Sequence, residues 1–346
     1  MSMKKVERAK LKERLLECVS EKQASFSVKS FAEKAGVSVQ TIYKMLEELI
    51  SEGLLSVNKK AGRNEYSLIS LQKDLTLSLE GIDEDQIWKK EVSPFFSDLA
   101  DIPRKNLHYA FTEVLNNAID HSEGTEVAIG LEKNAVEATI SISDNGIGIF
   151  KKIADAMHLE EKSFSILELA KGKFTTDPES HSGEGIFFSS KVVDMFIIQS
   201  DDLIFFVTGD RGAGLIDRIE EEQKGTAVFM GIKQSHKETS KEVFDRFTLA
   251  PDDYGFSKTI VPVRLLEYGD DTPQVVSRSQ AKRLMVRFER FENIILDFTG
   301  IEEIGQGFAD ELFRVFAFRH PKTKLLPINT SKQIDLMIRH VRGGNN

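Results

Sequence analysis

Two glycine turns constrain this chain more than any other feature, because each stands where one regular element must stop and another begin. An alternating run, "VEATISISD", reads as a half-buried strand that ends in "DNGIGI", and a helix starts near Phe150. Further on, "GEGIFF" is a second glycine turn that opens a helix. Gly146 and Gly148 in the first turn let backbone approach a flat ligand with no Cβ in the way. Asp144 ends the strand, where its carboxylate can accept a hydrogen bond inside a pocket. In the second turn, Gly183 and Gly185 precede exposed helix N–H groups whose local dipole suits phosphate.

Upstream lies "TEVLNNAIDHS", residues 112–122, helical in pattern yet carrying two adjacent asparagines. Asparagine amides compete with the helix backbone for hydrogen bonds, so their presence asks for a reason. Glu113, Asn117, Asp120 and His121 share one helical face, and its oxygens suit a hard divalent cation. A solvated polar face is the plain alternative for these residues taken alone. With the two glycine turns, the stretch describes a purine pocket, a metal helix and a phosphate turn.

The rest of the chain surrounds that centre with two other units. At 346 residues it is long enough for two or three domains. Residues 1–70 read as three helices and a hairpin, a winged helix-turn-helix. Ser38 caps its third helix, and a basic turn joins its two strands. This segment holds 13 Lys/Arg against 9 Asp/Glu, a balance of +4 within a total of −9, so the remaining chain carries −13. A basic end on an acidic body is the asymmetry expected where one end meets a polyanion. In that reading the third helix presents Ser38, Gln40, Thr41, Tyr43 and Lys44 to DNA, and Lys59, Lys60 and Arg63 of the wing hold phosphates. Winged helices also serve as protein-interaction modules.

Residues 71–100 form a connector with strand-like ("LTLSL") and helical pieces, and residues 236–250 a charged linker. Beyond 251 a strand–helix alternation predicts a small α/β domain: strands over 258–265, 294–298 and 325–327, and helices over 279–289, 306–316 and 332–341. With one cysteine, Cys18, no intrachain disulfide can form. No apolar run reaches 18 residues and no signal peptide is visible, so a cytoplasmic protein without membrane contact is expected.

The ordered set "EVLNNAIDH", "DNGIGI", "GEGIFF" and "GTAVF" resembles the GHKL ATPases: DNA gyrase, MutL, heat-shock chaperones, sensor histidine kinases and anti-sigma-factor kinases. The resemblance implies an α/β sandwich over residues 71–235, with helices on one face of a mixed sheet and a mobile lid at 150–182. It implies ATP and Mg²⁺, with Asn117 ligating the metal. Asp144 would accept from the adenine amino group, supported by Thr226. Gly146 and Gly148 would flank the base, Gly183 and Gly185 the phosphates, and Lys171 and Lys173 would be lid cations within reach of them. Glu113 stands where gyrase-like members keep the glutamate that activates water, which a kinase-type member keeps too.

A histidine kinase needs a helical pair with a phosphorylatable histidine before the ATPase domain, and the residues ahead of Pro103 provide neither. "NIILDFTGIEEIGQGFADELFRVF" resembles STAS domains, giving a STAS-like unit at 251–346. At the turn where STAS proteins are phosphorylated on serine, this chain has Gly305, Gln306, Gly307 and Phe308, with no hydroxyl. The expectation is an α+β multidomain protein whose STAS-like domain packs on an ATPase domain, its own or a neighbour's, and binds a protein partner; homodimerisation stays open. The favoured role is an ATP-responsive DNA-binding regulator with slow turnover. The alternatives are an anti-sigma-type serine/threonine kinase, a DNA-associated defence or repair ATPase, and a nucleotide-binding scaffold.

Overall fold

The computed structural model describes residues 5–22, 26–60, 62–175, 183–208, 212–216, 223–249, 255–267 and 274–343. Three helices, α1 (Lys5–Lys22), α2 (Val28–Ala35) and α3 (Val39–Ser51), are followed by a hairpin of β1 (Leu55–Lys60) and β2 (Arg63–Leu68). Gly36 ends α2 in the left-handed region at φ 67°, and the Ser38 hydroxyl accepts from Thr41 N at 3.2 Å to start α3. Leu15, Ile42, Met45 and Leu46 form the core of this unit. Val136, from a hairpin of the central sheet, completes that core.

The connector contributes the edge of the central sheet, strand β3 (Leu71–Ser78). A short α4 (Glu84–Ile87) and a π-helical turn at Trp88–Val92 then lead to the long α5 (Asp101–His121). Pro103 lies in the first turn of α5, where a missing N–H costs nothing. Next come β4 (Glu126–Lys133), β5 (Glu137–Asp144), α6 (Ile149–Met157), α7 (Phe164–Lys171) and α8 (Gly185–Val192). Strands β6 (Met195–Asp201), β7 (Leu203–Thr208), β8 (Gly212–Ile216) and β9 (Gln223–Lys233) complete the domain.

The seven strands lie in the order β3-β4-β5-β9-β6-β7-β8. A mixed sheet was expected, and β5 and β6 do run parallel, as a helical crossover requires. Strand β9 inserts between them, so every neighbouring pair is antiparallel. Buried rows such as Ile129–Ile142–Val228–Ile198–Phe205 cross five strands and meet the helices.

After α9 (Ser240–Asp245), started by a Thr239/Glu242 capping box, the C-terminal unit alternates strand and helix. It comprises β10 (Lys258–Pro262), α10 (Arg278–Met285), β11 (Asn293–Asp297), α11 (Gln306–Asp310), a π-helical stretch (Glu311–Phe316), α12 (Ala317–Arg319), β12 (Lys324–Ile328) and α13 (Lys332–Gly343). Its three strands are parallel in the order β10-β11-β12. Strand β10 stops at Pro262, short of the expected residue 265, and passes into a 3₁₀ turn at Val263–Glu267; proline cannot donate to a ladder.

One continuous hydrophobic core joins the seven-stranded domain to this unit. At the junction, Phe187 and Phe188 of α8 pack with Phe244, Phe247 and Phe256, ring centroids 4.5–6.2 Å apart. Among the described residues no helix is long and apolar enough to cross a membrane.

Candidate nucleotide site

A cavity of about 360 Å³ opens between α5, the end of β5, α7 and the start of α8. Its lining includes Glu113, Asn117, Asp144, Gly148, Gly183, Gly185 and Thr226, so residues up to 113 positions apart in sequence meet in one place. Gly146 stands just behind Asp144. Residues 176–182 of the expected lid lie outside the described residues.

The floor is built at the end of β5. Asp144 is 7% exposed, and its Oδ1 accepts from Gly146 N at 2.9 Å and from Thr226 N at 3.3 Å. Burial pushes its carboxyl above the usual range, and the two backbone donors oppose that shift. Thr226 Oγ1 accepts from Ile149 N at 2.9 Å, which ties β9 to the start of α6. A Cβ on Gly146 would stand 2.0 Å from Ser122 O, and one on Gly225 2.2 Å from Asp144 O, so both positions require glycine. The turn is pinned to the end of α5 by Ile147 N donating to Ser122 O at 2.9 Å.

On the opposite wall, Asn117 Nδ2 donates to Glu113 O at 2.6 Å. That bond commits the nitrogen end of the amide and leaves the oxygen end, the one that ligates hard cations. A Cβ on Gly185 would lie 2.0 Å from Glu113 Oε2, so the carboxylate rests directly against the second glycine turn. Gly183, at φ 70°, also passes close to Phe174, its own Cβ position 2.4 Å from that residue's carbonyl. Burial raises the Tyr109 phenol, and the charges of Glu113 and Glu184 raise it further. No cluster of three His, Cys, Asp or Glu exists among the described residues. A Mg²⁺ held by one or two side chains and by phosphate oxygens needs none.

Lys171 and Lys173 were expected as lid cations within reach of the phosphates; both donate to carbonyls of the C-terminal unit, and Lys173 also feels the charge of Glu184 in the second glycine turn. The stretch 158–182 reads as polar and irregular in sequence, yet it contains α7, whose eight residues are all buried. Lys171, 0% exposed, donates to Glu168 Oε1 and to Val286 O at 3.0 Å. Burial pulls its ammonium down to about 8, with Glu168 opposing the shift. Lys173 donates to Arg290 O at 3.2 Å and lies over the rings of Phe256 and Phe291. Neither lines the cavity.

One cation that does line it was missed: Lys152 of α6, which donates to His121 O at 2.6 Å. Its place, one helical turn past Gly148 on the face that follows the glycine turn, was the available signal. In the N-terminal unit, Ser38, Gln40, Tyr43, Lys44, Lys59, Lys60 and Arg63 are exposed and Thr41 is half-buried. The hairpin register sets Lys60 opposite Arg63 at its tip.

Residues 103–236 match the family described as histidine kinase-, DNA gyrase B-, and HSP90-like ATPase. The chain thus carries a GHKL ATPase domain, and the cavity lies wholly within or beside the matched residues. Residues 280–335 match a STAS-like domain of unknown function (DUF4325), which places a STAS-like domain after it. No curated protein matches the chain. The two domains fit an ATP-binding protein.

Proposed function

We propose that the chain is a slow, Mg²⁺-dependent ATPase that acts as a nucleotide-responsive, DNA-binding transcriptional regulator. The observation that carries the nucleotide part is the single cavity in which Glu113, Asn117, Asp144, Thr226 and both glycine turns converge. Asp144 and Thr226 would hold the exocyclic amine of adenine, and Asn117 would offer its amide oxygen to a divalent cation that offsets phosphate charge. Gly183 and Gly185 leave the helix N–H groups of α8 open to phosphate oxygen. Glu113 is the group that would align or deprotonate the attacking water. Positioning and the metal would supply most of the acceleration, and a base contributes only when one water separates it from phosphorus.

The test measures ATP binding and phosphate release with Mg²⁺. Asn117→Ala is expected to lose metal-dependent binding, whereas Glu113→Ala binds and stops releasing phosphate. Binding of ATP by wild type with label passed to a second protein would replace hydrolysis by kinase activity. Failure of wild type to bind would end the nucleotide reading.

The DNA part is supported by the three-helix and hairpin unit, its exposed α3 face and the basic tip of the hairpin. We read it as a winged helix whose α3 enters the major groove. Each phosphate contact should contribute a slope of about −0.9 in log K against log salt. Removing Lys60 should flatten that slope by about one contact, uniformly across DNA sequences. A binding constant indifferent to salt would point instead to a protein partner.

A further inference from the structure

The cavity wall made by Leu169, Gly172 and Phe174 is the segment that the C-terminal domain holds. Arg287, on the loop after α10, donates from Nη2 to Gly172 O at 2.7 Å and to Glu168 O at 3.2 Å. Its Nη1 donates to Lys173 O at 3.2 Å. Its Nε stands 3.0 Å from Glu168 Oε2 at an angle too poor for a hydrogen bond, so that contact is an ion pair. The guanidinium also lies 5.3 Å from the ring centroid of Phe174. A planar donor fork on three carbonyls fixes the end of α7 and the backbone beyond it in a way a point-charge ammonium cannot. Backbone strain sits on both sides of the contact: Arg287 has φ 64° and Lys173 φ 53°, a region that residues with a Cβ rarely adopt. Such strain persists only where the surroundings over-determine it.

We propose that Arg287 is a positioning residue for the nucleotide, a latch through which the C-terminal domain sets the Gly172–Phe174 wall of the cavity. Nucleotide occupancy and the state of the C-terminal domain are then energetically coupled, and by linkage each alters the other by the same factor. This rests on the nucleotide reading above. It differs from phosphorylation-based signalling in needing no hydroxyl at the Gly305–Phe308 turn.

The experiment is hydrogen–deuterium exchange on the full chain with and without Mg·ATP, in wild type and in Arg287→Lys. In wild type, Mg·ATP should slow exchange at 113–117 and 144–148, and also at 283–291, by about tenfold, the size of an ordinary coupling. In Arg287→Lys the cavity segments should remain protected while the change at 283–291 disappears. Nucleotide dissociation should then quicken by about the same factor of ten. Protection of the cavity segments with no change at 283–291 in wild type would overturn the latch and leave the nucleotide reading intact. That outcome needs no variant to fold. Identical patterns in wild type and Arg287→Lys would overturn the role of Arg287. No protection anywhere would overturn both readings.

Discussion

Glu168→Gln is expected to destabilise the chain by about 3–5 kcal/mol, the usual result of removing one partner from a buried ionic group. Glu168 is 2% exposed and is ion-paired with two buried cations, Lys171 and Arg287. Its loss leaves both positive charges inside a low-dielectric junction, with carbonyls and the more distant charge of Glu289 as the partners that remain. Lys171 can shed its proton, since burial already holds it near 8, and so relieves part of the cost. Arg287 stays charged. Lys171→Met should therefore cost less than Glu168→Gln, because it leaves a balanced Glu168–Arg287 pair. The double variant should cost less than the sum of the two single losses. Calorimetric melting of the three variants checks this, and a Glu168→Gln protein as stable as wild type would show that the junction is hydrated.

Gly146→Ala should have the second large effect, this time on ligand binding. The added carbon would stand 2.0 Å from Ser122 O and 2.6 Å from Ser122 C, both backbone atoms at the end of a long helix. No side chain can swing aside, so the turn itself must shift, at about 1–3 kcal/mol for overpacking of this kind. The shift draws Gly146 N from Asp144 Oδ1, where it now sits at 2.9 Å, and displaces the carboxylate meant for the base. If that energy appears in binding, ATP affinity falls about tenfold to a hundredfold. Gly307→Ala is the control: its Cβ would meet nothing nearer than 3.5 Å, so affinity should hold. Equal affinities in both variants would mean that the base does not sit on this turn.

The parts of the fold legible in sequence are those whose cause is local. The glycine turns, the Ser38 cap and the alternation of β5 each announce themselves within a few residues, and all appear in the structure near their expected places. Helix α7 did not, because its sequence mixes Phe164, Ile166 and Leu167 with Glu168 and Lys171. Charge in such a segment normally signals solvent. Here Glu168 and Lys171 pair with each other one turn apart, but the C-terminal residues that bury the pair, Arg287 and Val286 among them, lie more than a hundred residues away, and no local pattern carries that information. The same distance explains the placement of Lys171 and Lys173: their residue type was readable, but the direction they face was not. Strand β3 was legible only in part, through the strand-like run "LTLSL", because it is an edge strand with only half-buried positions on its inner face.

The sheet order and the site of α7 also set a timetable for synthesis. Strand β9 fills the middle of the sheet but leaves the ribosome after its six partners in that sheet. Until it emerges, β5 and β6 have no common neighbour and the floor of the cavity lacks Thr226. Helix α7 waits longer, because Arg287 follows it by more than a hundred residues, roughly 5–25 s at 5–20 residues per second. Over that interval the face of α7 that meets the C-terminal unit, Lys171 included, stands uncovered on the nascent chain. It is the segment where a holding chaperone would find its grip.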